Sequence, residues 1–179
     1  REVEEVTKEL RKISKEVEDL TREVLREARE ISRRTEEESR RLNKEIAEIV
    51  ERLRREGDEK AVEEVLREVD KLLEESERLH REAIERLRRL LEEVEEIHRR
   101  VIEEMKRLLD DLTRKVDKGS KEDVRRVAEE VKRLVDKNRR IVEEAKKEVD
   151  RLVKRNEDLM RRNREEVERW KRELEEDRR

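Results

Sequence analysis

The sequence predicts an all-α fold: an antiparallel up-down-up bundle of three long, nearly straight helices. Three observations carry that expectation. Proline is absent and glycine occurs only at Gly57 and Gly119, so nothing interrupts a helix except at two points. Apolar residues recur at a helical interval and never run beyond two in a row. Between them stand Glu, Arg and Lys, all good helix formers, with charged residues at 60% and hydrophobic residues at 31%. That composition alone would suggest disorder, because little apolar surface is available to offset chain entropy. The strict periodicity argues instead for helices that share a narrow core.

The two glycines divide the chain. In RREGDEKAV, Gly57 can adopt the left-handed conformation past a helix end and Asp58 can cap the next helix. In DKGSKEDV, Gly119 closes a helix and Ser120 caps its successor, with Asp123 completing a partial capping box. The helices should therefore run over about 3–56, 58–117 and 120–176, each on the order of 80 Å at ~1.5 Å per residue. Turns this short force antiparallel neighbours, so residues 1–179 read as a single three-helix bundle.

The first helix carries its expected core stripe at Val3, Val6, Leu10, Ile13, Val17, Leu20, Val24, Ala28, Ile31, Thr35, Ser39, Leu42, Ile46, Ile49 and Leu53. Fourteen steps over fifty residues give about 3.57 residues per turn, between the coiled-coil value of 3.5 and the straight-helix value of 3.6. The third helix shows the same spacing from Val124 to Leu174. A longer, coiled-coil-like repeat of 18 residues, five helical turns, relates Leu66 to Ile84 and Ile102, Leu73 to Leu91 and Leu109, and Val131 to Val149 and Val167. His80 and His98 obey it, as do Asn138 and Asn156, and Ser14 and Ser32.

Antiparallel partners must share a midpoint at their connecting turn. Ser14 with His98, and Ser32 with His80, both have theirs at 56; His98 with Asn138, and His80 with Asn156, have theirs at 118. The pattern predicts two equivalent buried layers, Ser14–His98–Asn138 and Ser32–His80–Asn156, with Thr35 near the second. A third layer, Ser39–Ser76–Asn163, fits within one turn. A neutral imidazole offers one donor and one acceptor, and Ser and Asn from the facing helices can satisfy both. Such layers fix register, because sliding a helix strands polar groups against leucine. Thr7, Thr21 and Asn43 read as small boundary residues, with network membership as the alternative, and Trp170 as a core or end-cap residue.

These features together resemble de novo designed helical bundles with built-in hydrogen-bond networks. The long idealised helices, the Gly-Asp and Gly-Ser turns, the Glu/Arg/Lys surface and the repeated polar layers carry the resemblance across the whole chain. Layers pairing His with Asn or Ser resemble the designs that come apart in acid. The resemblance implies a structural scaffold without natural biochemical activity or natural compartment, soluble and cytoplasmic on recombinant expression. Its alternative is a pH-responsive bundle, or a self-associating or helix-binding module, whose histidine layers weaken it in acid.

Other functions fit poorly. Zinc ligands must converge within ~2.1 Å of one ion, whereas histidines 18 residues apart on one helix lie about 27 Å apart; no metal site and no cofactor is expected. Ser, His and Asn in one layer have the composition of a nucleophilic triad, but a helical core lacks free backbone donors and a substrate pocket, so no enzyme is expected. With 52 basic and 55 acidic residues interleaved, no face is basic enough for nucleic acid. The short apolar runs exclude a membrane span or signal peptide. Cysteine is absent, and a start at Arg1 reads as a processed or trimmed chain. No partner is required: a monomer is the expectation, with a homo-oligomer or a designed helical partner as alternatives.

Overall fold

The computed structural model describes residues 2–57, 59–115 and 121–177. They form three helices: α1 (Glu2–Glu56), α2 (Glu59–Lys115) and α3 (Lys121–Asp177). No strand occurs among the described residues, and the fold is a three-helix bundle. Gly57 has φ 59°, and its N–H donates to the Leu53 carbonyl at 3.1 Å. This bond closes α1 with a left-handed residue that a side chain would strain. The capping roles assigned to Asp58 and Ser120, and the stop at Gly119, fall outside the described residues.

Contacts divide the chain into two compact units. The first combines α1 up to Glu27, α2 from Arg89 and α3 up to Val149. Its core cluster is built from Leu10, Ile13, Met105, Leu112, Val127, Val131 and Leu134. Met105 is completely buried there, as suits an unbranched side chain that fills irregular gaps. The second unit combines α1 from Ala28, α2 up to Arg88 and α3 from Asp150. Ile46, Val50, Leu53, Val62, Val69, Leu73, Val167 and Leu174 form its core cluster, with Trp170 packed against it.

Two positions of the expected α1 stripe shift by one residue. Leu20 is 40% exposed, and Thr21 takes the inward place at 2% exposure. Ser14, Val17, Thr21, Val24 and Ala28 are all buried and follow alternating steps of three and four, the heptad rhythm. A step from Val17 to Leu20 and then to Val24 uses the same two endpoints, and hydrophobicity alone favoured the leucine. Val50 is likewise buried where Ile49 was expected, although Ile49 still packs against the cluster.

Ion pairs connect α1 and α3 within each unit. Arg11 meets Glu130 at 3.2 Å and Lys137 meets Glu18 at 3.6 Å in the first. Arg155 pairs with Glu36, and Arg54 with Glu173, in the second. Each pair joins residues 119 apart in sequence, so α1 and α3 run parallel within each unit. In the second unit α2 runs the other way: Asp70 pairs with Lys171, Glu77 with Arg164, and Arg88 with Glu157. The exposed pairs among these contribute about 0–1 kcal/mol each; their value here is alignment.

Candidate functional site

The buried Ser, His and Asn residues of the second unit form one connected network. Ser32, Ser39, Ser76, His80, Asn156 and Asn163 are all buried, His80 and Asn156 at 0% exposure and Ser39 at 3%. Each stands on the inward stripe of its helix, where the 3.6-residue period turns every third or fourth side chain to the core.

The amide of Asn156 fixes the network's polarity. Its Nδ2 donates to the Leu152 carbonyl at 2.8 Å and to Ser32 Oγ at 3.3 Å, which turns Oδ1 toward His80 Nδ1 at 2.9 Å. That imidazole nitrogen must therefore donate, leaving Nε2 as an acceptor. The Ser39 hydroxyl supplies the hydrogen, with Oγ at 2.9 Å from Nε2. Ser39 Oγ accepts from Asn163 Nδ2 at 3.0 Å and from the Ser76 hydroxyl at 3.0 Å. Asn163 Oδ1 accepts from Asn43 Nδ2 at 2.7 Å. Seven side chains from three helices are thus joined, and what had been expected as two separate layers is bridged by the diagonal Ser39–His80 bond. Thr35 is half-buried and makes no side-chain hydrogen bond within this network.

Two polar residues of this unit were missed or left open in the sequence. Asn43 lies one helical turn past Ser39, on the same face of α1, and that spacing was the available signal. Glu77 is a buried carboxylate, 2.6 Å from Arg164 of α3 and 3.4 Å from Arg81. It meets Arg164 as an ion pair, and nothing distinguishes it in the sequence from the many Glu residues in solvent. Of the other two boundary residues, Thr7 bonds the Val3 carbonyl at 2.8 Å and Thr21 is in the core.

The first unit holds the corresponding layer in a different state. The Ser14 hydroxyl donates to Asn138 Oδ1 at 3.0 Å, and both residues are buried. His98 is only half-buried, and its Nε2 has no hydrogen-bond partner; neither has Asn138 Nδ2. The structure therefore brings Ser14 and Asn138 together without closing the expected triad through His98. Matching register is therefore not sufficient to close the layer. His98 instead lines a shallow surface cleft with Glu95, Ile102, Val142 and Lys146. Unpaired buried groups of this kind cost about 1–3 kcal/mol each.

Both histidines have pKa values below the ordinary 6.5. For His80 the cause is burial, opposed by its bond to Asn156 and by the negative charge of Glu36. For His98 burial again leads, reinforced by Arg139 and Lys146 and opposed by Glu143.

The order Ser39–His80–Asn156 has the connectivity of a nucleophile, base and orienting group. Burial removes the chemistry. A nucleophile at 3% exposure has no approach for a substrate, and the surrounding backbone N–H groups are committed to α1, α2 and α3, leaving no donors for an oxyanion. Among the described residues no three His, Asp or Glu side chains converge on a possible metal position, and no helix is long and apolar enough to cross a membrane.

No protein-family model and no curated protein matches the chain. A solved structure described as a "Computationally designed three helix bundle" is similar, with a TM-score of 0.54 over 97% of this chain and 87% of that one, at 22% sequence identity. At that identity the likeness establishes the three-helix fold and nothing further.

Proposed function

We propose that this chain is a designed structural scaffold without enzymatic activity, whose helix register is fixed by buried hydrogen bonds. The observation that carries this reading is the closed network around His80, in which every polar atom of the imidazole has a partner from another helix. Idealised helices and the designed origin of the similar solved structure agree with it. On this reading the chain is soluble and monomeric, and needs no cofactor, nucleic acid, membrane or partner.

Replacing the network by apolar residues tests the role. Removing both partners of a buried hydrogen bond is nearly neutral or stabilising, so a Ser32→Ala/Ser39→Ala/Asn43→Leu/Ser76→Ala/His80→Leu/Asn156→Leu/Asn163→Leu variant, which removes all seven members, should keep or raise its denaturation midpoint. It should also lose uniqueness, since leucine layers match in several registers. Light scattering on the parent chain should give the mass of one chain, 22.1 kDa, and on the variant a mixture of masses. A variant that stays monomeric with sharp, singly populated amide spectra would remove register from the network's role.

A second reading, a scaffold that weakens in acid, is favoured by the burial of His80 in its neutral form. Because the folded pKa of both histidines is lowered, the unfolded chain binds more protons below about 6.5. Stability is then intact above that value, falls as pH drops through it, and levels off below the folded pKa. Denaturation midpoints measured from pH 8 to 4 should show this fall in the parent chain. A His80→Asn/His98→Asn variant should lose it, and an identical acid profile in both would sink the reading.

A further inference from the structure

Around Ser39 every hydrogen and lone pair is allocated in the neutral state. Ser39 donates its one hydrogen to His80 Nε2 and uses both lone pairs for Ser76 and Asn163. A proton arriving at Nε2 converts that nitrogen from acceptor to donor, so Ser39 must accept at the same 2.9 Å contact. It can do so only by directing its own hydrogen elsewhere. Ser76 Oγ stands 3.0 Å away and becomes the acceptor once its own hydrogen turns aside. A helical serine hydroxyl can reach the carbonyl four residues back, here Leu72. Thr7 and Thr113 already make that bond in this protein, each at 2.8 Å.

We propose that the Ser39–Ser76 hydroxyl pair is a reversible polarity relay, which lets His80 gain and lose a proton while the heavy atoms of the network stay in place. The balance closes: one proton enters at Nε2, the Ser39 hydrogen rotates from Nε2 to Ser76 Oγ, and the Ser76 hydrogen rotates to its own helix. Asn163 Nδ2 continues to donate to Ser39, and Nδ1 to Asn156. The charged groups around the imidazole suit a transient positive charge. Glu36 of α1 attracts it, with Arg155 of α3 paired to Glu36. On its own helix Glu77 is held by Arg164 of α3 and by Arg81. This inference goes beyond the scaffold reading and does not depend on it: protonation costs the burial of a charge but no hydrogen bond.

The test is an NMR titration of the His80 imidazole in the full chain, with His98→Gln as the common background so that one histidine remains. Adding Ser76→Ala removes the acceptor that reversal requires but none that the neutral state needs. The His80 midpoint should fall by about one pH unit, a tenfold loss of proton affinity, with the neutral-pH melting temperature nearly unchanged. Ser76→Thr should restore the midpoint. Equal midpoints in all three chains would overturn the relay. The background chain alone gives an independent check: in acid, both His80 nitrogens should carry protons while the side-chain amide signals of Asn156 and Asn163 stay dispersed. Protonation seen only together with loss of those signals would equally overturn it.

Discussion

Replacing His80 by alanine should destabilise the protein by about 3–5 kcal/mol at neutral pH, combining a core cavity with stranded polar groups. The imidazole is completely buried and holds two other helices through Asn156 and Ser39. Truncation leaves Asn156 Oδ1 without its donor and removes the Ser39 bond that ties α1 to α2 through the imidazole. The same change at His98 should cost less than about 1 kcal/mol, because deleting an unpaired group removes its own desolvation penalty. Denaturant titrations followed by circular dichroism measure both. Equal losses at the two positions would show that the His80 hydrogen bonds add nothing beyond side-chain volume.

Ile46→Ala should cost about 2–5 kcal/mol, the range for truncating a large aliphatic side chain in a core. Ile46 has no exposed surface and belongs to the cluster with Val50, Leu53, Val69, Leu73 and Val167. Neighbours on stiff helices cannot collapse far into the space, which favours the upper part of the range. Alanine's better helix propensity returns only about 0.7 kcal/mol at most. Leu20→Ala is the matched control: at 40% exposure it should stay within about 0.5 kcal/mol. A comparable loss at Leu20 would contradict its outward placement.

The three helices and the left-handed Gly57 were legible because they depend on local rules: propensity, period and the conformational freedom of glycine. The Ser32, His80, Asn156, Ser39, Ser76 and Asn163 positions were legible for a related reason, since polar residues on an apolar stripe at matched register have few other uses. Three features were not. Leu20 and Thr21 compete for one inward place, and the choice depends on the phase of the whole helix. His98 and His80 have the same spacing to their partners, so spacing does not separate the half-buried one from the closed one. Asn43 and Glu77 acquire their roles from Asn163 and Arg164 on another helix, which a pattern within one helix does not encode.

The ion pairs between α1 and α3 bear on a problem that periodicity creates. Glu18, Glu36 and Arg54 are spaced by 18 residues, as are their partners Lys137, Arg155 and Glu173. An 18-residue slip of one helix along the other would keep one polar match in the core, Ser14 with Asn156 or Ser32 with Asn138, but would set Ser32 against Leu174 or Asn156 against Val50. At the rim it is not silent either. Slipping one way sets Glu36 against Glu173, and slipping the other way sets Arg54 against Arg155. The third pair, with its signs exchanged, works like a check digit in a repetitive code: it contributes little to the total, yet it marks at the surface the same misreading that the polar core rejects, including a misaligned exchange of α3 between two copies of the chain.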